Sequence, residues 1–242
     1  MFYRADWDAP STVHTLLTTR IGGVSTGAYA SLNLGLHVGD DAAHVAENRR
    51  RVQELVPVPL VYLNQVHGTE VIDAANALHQ TPTADAAVER AGKAACVIMT
   101  ADCLPVLLCD ARGTVVAAAH CGWRSLAGGI LHRTIAAMQC PPQEISAFLG
   151  TAISPDAFEV GQDVYDVFTG SLPTAADCFA PLTDGKYLAD IYALARLTLQ
   201  QADVTRVFGG EGCTVLERER FFSYRRDHTT GRMAAVIWLE KP

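Results

Sequence analysis

A single domain of mixed α/β type is the fold class that three features of the sequence predict. Short apolar runs rich in Val, Ile, Ala and Thr read as strands and alternate with longer stretches of helical periodicity. Several runs are apolar throughout, as in Thr114-Val115-Val116-Ala117-Ala118-Ala119, the pattern of strands buried on both faces. No linker-like stretch or internal repeat divides the 242 residues, a length ample for one substantial core.

Thr12–Thr19 reads as the first strand. It leads into Arg20-Ile21-Gly22-Gly23-Val24-Ser25, where the Gly pair marks a tight turn or a close backbone approach to a ligand. Residues 31–40 are irregular. A helix follows from about Asp41 to Leu55, with Val45, Val52 and Leu55 on one stripe and Pro57 as its stop. Leu60–Leu63 is a short strand delivering Asn64-Gln65-Val66-His67-Gly68, and Val71-Ile72 continues beyond the turn. Residues 75–92, polar and Pro-containing, read as loop with some helix.

Two apolar runs, Ala95–Met99 and Val106–Cys109, are separated by Asp102, Cys103 and Pro105, too polar and broken for an ordinary core strand. Asp110–Gly113 turns into the strand that ends at His120. A helix then runs from about Ser125 to Met138 on Leu126, Ile130, Leu131, Ile135 and Met138. A strand at Ile145–Gly150, a helix at 162–169, a loop at 170–186 and an amphipathic helix at 188–202 follow. Strands at Val204–Phe208 and Met233–Leu239 close the chain.

The net charge of −7 argues against a nucleic-acid partner held through phosphate contacts. No apolar run approaches the ~20 residues that cross a bilayer, so no membrane partner is expected. The N-terminal residues lack the basic lead and apolar core of a signal peptide, and the expected location is the cytoplasm. Seven cysteines, an odd number without a Cys-x-x-Cys pair, point to reduced thiols rather than a disulfide framework. Cys96, Cys109, Cys140 and Cys178 read as small buried hydrophobes. Cys103 and Cys121 differ, because each adjoins a polar turn within an apolar strand.

Three segments carry the chemistry. Ala119-His120-Cys121-Gly122-Trp123-Arg124 lies where a buried strand meets a helix start, with free N–H groups and a partial positive charge at hand. Asn64-Gln65-Val66-His67-Gly68 and Thr100-Ala101-Asp102-Cys103-Leu104-Pro105 have the same character. His67, Cys103 and His120 form an N/S donor set suited to zinc, or to copper. Their spacing matches no short metal motif, and a lone His at a strand end also serves as a hydrogen-bonded structural residue.

These segments resemble the signature blocks of the YfiH (DUF152, laccase-domain) family. The likeness extends to Thr19–Ser25, Leu32-Asn33-Leu34-Gly35, Val38-Gly39-Asp40, Phe158-Glu159-Val160-Gly161, Cys213-Thr214 and Phe222-Ser223-Tyr224-Arg225-Arg226. It implies one domain over residues 1–242, a layered α/β sandwich with mixed sheets of the type shared with cytotoxic necrotizing factor. It also implies that His67, Cys103 and His120 hold the metal. Thr151 and Ser154 stand where a Pro and a Gly are usual, and Cys121 where Ala is common; these departures bear on the pocket wall.

The activities implied are those of a purine nucleoside enzyme acting on small molecules. They are phosphorolysis of adenosine, inosine and S-methyl-5′-thioadenosine, and deamination of adenosine to inosine. Zinc lowers the pKa of a bound water towards ~7, which suits deamination at C6 of adenine. Phosphorolysis needs an anion site and stabilisation of positive charge developing on the ribose. Arg20, Arg124, Arg225 and Arg226 are candidates for phosphate, each equally a salt-bridge partner. Asp102 is a candidate to orient a ligand or shuttle protons, or a turn-former bonded to its own backbone. Gln65 is a candidate donor to a base edge.

Other readings make different demands. A multicopper phenol oxidase needs many copper ligands, yet the eight histidines contain no His-x-His pair. The cytidine-deaminase zinc motif, the Walker A loop and the Rossmann glycine fingerprint are absent. A metal-free hydrolase would use Cys103 as nucleophile with His67 or His120 as base. That suits the peptidoglycan editing linked to bacterial relatives, which removes L-serine from a UDP-MurNAc intermediate. A non-catalytic domain would close a four-ligand site with Cys121.

Overall fold

The computed structural model describes residues 2–78 and 80–240. A five-stranded sheet has the order β1 (Phe2–Tyr3), β2 (Val13–Thr18), β14 (Met233–Leu239), β6 (Ala95–Thr100) and β3 (Leu60–Val61), with only the β3–β6 pair parallel. A six-stranded sheet has the order β13 (Arg206–Gly209), β9 (Ile145–Leu149), β7 (Leu104–Asp110), β8 (Val116–Cys121), β5 (Ala86–Glu89) and β4 (Val71–Asp73). Its two edge pairs, β13–β9 and β4–β5, are parallel and its centre is antiparallel. A small antiparallel sheet joins β10 (Glu159–Gly161), β12 (Lys186–Ala189) and β11 (Phe179–Pro181). The helices are α1 (Ala42–Gln53), α2 (Trp123–Ala127), α3 (Ile130–Met138), α4 (Gln162–Ser171), α5 (Ile191–Gln201) and the short α6 (Tyr224–Asp227).

The two large sheets stack face to face, and helices cover both outer faces. Period-two alternation along β7 shows why. Leu107 and Cys109 pack against Leu17, Ile98 and Ile237 of the five-stranded sheet. Leu104, Val106 and Leu108 turn the other way, onto Leu126, Ile130, Leu131 and Leu199 of the helices. A strand buried on both sides must be apolar throughout, which is how β7 and β8 read. The outer face of the five-stranded sheet, through Leu16, Val97, Val236 and Trp238, is covered by Val52 of α1 with Leu32 and Leu34. Each such buried Leu, Ile or Val contributes roughly 1.5–3 kcal/mol relative to exposure.

Several elements differ from the sequence reading, among them β11, which lies inside the stretch 170–186 expected as a loop. Residues 86–89, expected as loop, form β5, whose Glu89 carboxylate accepts the N–H groups of Ala91, Gly92 and Lys93. β7 runs unbroken through Pro105, because its pairing with β9 begins only at Val106 and no ladder bond is lost on that side. The helix expected over 125–138 is two helices, parted at Gly128-Gly129, with Gly129 at φ +90°. Leu188 and Ala189 belong to β12, and α5 starts later, where Asp190 caps it by accepting the Ala193 N–H at 2.9 Å.

Among the described residues, no helix is long and apolar enough to cross a membrane.

Candidate metal centre

β7 and β8 are antiparallel, so the start of one and the end of the other lie at the same end of the sheet. Cys103, just before β7, and His120, near the end of β8, are therefore neighbours. His67 arrives from the turn that follows β3. Gln65 fixes that turn: its amide bridges both backbone groups of Met99 in β6, donating to the carbonyl and accepting the N–H at 2.8 Å each.

Asp85, fully buried one residue ahead of β5, organises the rest. Its carboxylate accepts the backbone N–H groups of Val66 at 3.1 Å, His67 at 2.9 Å and Gly68 at 2.7 Å, and Nδ1 of His120 at 2.8 Å. Those bonds hold His67 at φ +59°, a conformation costly for a non-glycine residue. Because the carboxylate only accepts, Nδ1 of His120 carries a proton, and Nε2 is the nitrogen that a metal would take by displacing its proton.

Cys103 Sγ lies 3.7 Å from Nε2 of His67, and the three donor atoms all fall within 4.8 Å of one another. A tetrahedral zinc with its usual N and S bond lengths separates its ligand atoms by about 3.3–3.6 Å. The set is therefore one small side-chain adjustment from closing on a metal, and its chemistry fits zinc. Gly122 makes the approach possible: a Cβ there would lie 2.7 Å from Cδ2 of His67 and 3.1 Å from Cys103 Sγ.

The electrostatics favour a thiolate. Burial alone would push the Cys103 thiol up, but His120 and His67 beside it outweigh that and bring it down to about 6. Burial likewise disfavours a charged His120, yet Cys103 and Asp85 raise it to about 9. Burial also raises Asp85, but its bonds from His120 and from the turn hold it below the ordinary carboxylate value.

The site opens on one side into a cavity of about 440 Å³ whose walls include His37, Gln65, Thr100, Arg124, Tyr224 and Arg232. Cys121 is not a fourth ligand. It alternates with His120 along β8 and points into the core against the helices, fully buried with Leu126 and Ile130. Among the described residues, the closed four-ligand site of a purely structural metal is thus not formed.

Arg124 lines the cavity with its guanidinium 4.2 Å over the Trp123 ring and no hydrogen-bond partner among the described residues. The other arginines singled out in the sequence lie elsewhere or are engaged. Arg20 donates to the carbonyls of Ala30 and Arg218 and lines a separate polar cleft. Arg225 donates to the Ala157 and Glu159 carbonyls. Arg226 spends its guanidinium on Asp227 and on the carbonyls of Thr214, Val215 and Phe221.

Asp102 sits at φ +96° beside Cys103. Its carboxylate accepts from the Thr214 hydroxyl and the Arg225 N–H, both at 2.6 Å, so neither partner is a histidine. Gln65 holds the turn through its amide oxygen and one amide N–H on Met99, while the second N–H has no acceptor among the described residues. Thr151 bonds the Tyr3 hydroxyl and, like Ser154, is absent from the walls of this cavity. Asp85, Arg232, His37 and Tyr224 are the site residues that sequence reasoning missed. The only sequence signal for Asp85 was an acid immediately before the apolar Ala86-Ala87-Val88.

A family model described as "multi-copper polyphenol oxidoreductase laccase" matches residues 14–240. The chain belongs to this laccase-domain family. A purine nucleoside phosphorylase, YfiH, from Escherichia coli is 48% identical over 235 residues, covering 96% of each chain. A purine nucleoside phosphorylase from Pseudomonas aeruginosa is 48% identical over 236 residues and covers 97% of each. Among solved structures, a DUF152 protein from Neisseria meningitidis superposes with a TM-score of 0.98 at 62% identity, covering 99% of both chains. YlmD from Geobacillus stearothermophilus superposes with a TM-score of 0.89 at 33% identity over 96% of this chain and 93% of its own. The layered mixed α/β sandwich expected from the sequence is the fold of this laccase-domain family.

Proposed function

We propose that this protein is a metal-dependent purine nucleoside phosphorylase, with His67, Cys103 and His120 as the ligands of one zinc ion. The observation that carries the reading is the three-donor group itself: preorganised by Asp85, and open on its fourth side to a cavity that holds an unpaired arginine. A zinc ion bound there supplies a fixed positive charge and lowers the pKa of a water at the open position. Copper fits the same N/S donors and binds such sites tightly, so the metal is a matter for measurement. The names of the relatives support a nucleoside substrate, and adenosine, inosine and S-methyl-5′-thioadenosine are the substrates proposed.

The protein's own residues do the rest. Asp85 holds the Nδ1 proton of His120, leaving Nε2 as the nitrogen for the metal, and Gln65 and Asp85 together fix the His67 turn. Arg124 offers its guanidinium to phosphate, which a neutral pocket would not retain. An open fourth position also suits deamination of adenosine to inosine, in a second binding mode with the purine rather than phosphate facing the metal. One three-donor group, the sole such group among the described residues, falls short of a multicopper oxidase. Nothing beyond small molecules is required as partner, and a cytoplasmic enzyme is proposed.

One observation favours a second reading. A thiol lowered to about 6 between two histidines is also the arrangement of a cysteine hydrolase acting on a peptidoglycan precursor. The products separate the two. Metal-loaded protein given adenosine is expected to release adenine only with phosphate present, and the His67→Ala and Cys103→Ala variants none. Inosine without phosphate would report the deaminase branch. No turnover of any nucleoside by fully loaded protein would overturn the purine reading. Alkylation of Cys103 only after chelation supports the metal; a free thiol in active protein supports the hydrolase.

A further inference from the structure

The metal cavity continues past Cys103 into a second space of about 280 Å³. The two share Ala101, Cys103, Arg124 and Tyr224 as common walls. Their remaining walls differ in kind. On one side stand His37, Gln65, Thr100 and Arg232; on the other Trp123, Ile153, Phe158 and Ile191. The first is cationic. The Arg232 guanidinium donates through one nitrogen to the carbonyls of Thr230 and Gly231, and its other nitrogens have no acceptor among the described residues. The second is mainly apolar and aromatic; of its charged walls, Asp102 is engaged by the Thr214 hydroxyl and the Arg225 backbone N–H, and the Arg225 guanidinium by the carbonyls of Ala157 and Glu159.

We propose that these are two ligand subsites with opposite chemistry: a phosphate subsite at His37 and Arg232, and a purine subsite at Trp123, Ile153, Phe158 and Ile191. Arg124 stands at the boundary. The assignment rests on the phosphorylase reading above. A phosphate keeps its charge only where cations replace its water, and Arg232 and Arg124 provide them. A purine ring is flat and apolar on its faces, so it prefers aromatic and aliphatic walls.

The arrangement places the two reactants on opposite sides of the Cys103 junction, where the ribose must lie. Phosphorolysis then has a defined direction. A phosphate oxygen supplies the electron pair of the new C1′–O bond from one side. The C1′–N9 pair leaves with the purine on the other, and the proton of hydrogenphosphate ends on the purine. Attack opposite to departure inverts C1′, so a β-nucleoside gives the α-configured sugar 1-phosphate.

The test uses the metal-loaded protein, with adenine and inorganic phosphate as separate probes in calorimetric titrations. Each is expected to bind with the other present, its affinity changed less than about threefold. Arg232→Met should weaken phosphate tenfold or more while moving adenine less than twofold; Trp123→Ala should do the reverse. Adenine, and not phosphate, should change the emission of Trp123, a signal absent from Trp123→Phe, which preserves the ring and guards against misfolding. Mutual exclusion of the probes, or a β-configured sugar phosphate, would overturn the subsites while phosphate-dependent adenine release kept the phosphorylase reading standing. Loss of that release in wild-type protein would remove both.

Discussion

At the scale of single residues, the site depends on groups that never touch a metal. Asp85 is the foremost: four hydrogen bonds converge on its buried carboxylate, one from His120 and three from the His67 turn. Orienting groups of this kind typically govern metal affinity by 10–100-fold. Asp85→Asn is therefore expected to weaken zinc by about 10–100-fold in a chelator competition. An unchanged affinity would show that the turn holds itself. Gly122 acts by size alone, since its φ of −63° suits any residue. Gly122→Ala drives a Cβ against His67 and Cys103 Sγ, so metal content should fall sharply while the far-ultraviolet dichroism stays native. Full metal occupancy in that variant would contradict the close approach. In metal-free protein, Cys103 lies at about 6, below an ordinary thiol, so more thiolate is present as pH rises through that value. Iodoacetamide should label it half-maximally near that pH, against about 8.5 for an ordinary thiol, and zinc should protect it.

The three donors of the candidate centre were legible in the sequence because His67 and Cys103 sit in polar turns beside apolar strands and His120 where a buried strand meets a helix start. Asp85 was not, because its four donors come from residues remote in sequence and it stands alone ahead of two alanines. Arg232 carried no signal for the same reason. It lies one residue before β14, and only the antiparallel pairing of Met233 with Thr100 brings it to the end of the sheet where Cys103 stands.

At the scale of elements, strands with long branched runs were readable and short ones were not. β7, β8 and β14 announce themselves by continuous apolar stretches buried on both faces. β5 has only Ala-Ala-Val-Glu, a short run that ends on a charge, and is held by its pairings with β8 and β4 rather than by propensity. The divided helix after β8 shows the reverse case: one apolar periodicity spans two helices, and the break is a backbone matter. Gly129 at φ +90° has open space around its missing Cβ. Gly129→Ala thus adds backbone strain without a clash, and about 1–2 kcal/mol of stability should be lost in denaturant unfolding. Metal content should remain that of the parent. A neutral substitution would mean that the break relaxes into a continuous helix.

At the scale of the whole molecule, two stacked sheets covered by helices on both sides form a rigid frame whose strands end together. The end of β8 and the starts of β7 and β14 meet the β3 turn there, so four sequence-distant segments supply one site. Rigidity of that frame is what sets three unlinked side chains within 4.8 Å of one another. Fold class followed from the apolar patterning and the layering from the family resemblance, whereas the cavity walls followed only from which strand ends coincide. The most direct measurement of metal-dependent phosphorolysis is adenine release from adenosine, with phosphate, as metal-free protein is loaded stepwise with zinc. Activity is expected to rise in proportion to bound metal and to level off at one ion per chain. Adenine release at full rate from metal-free protein would contradict the assignment of His67, Cys103 and His120 as its metal centre.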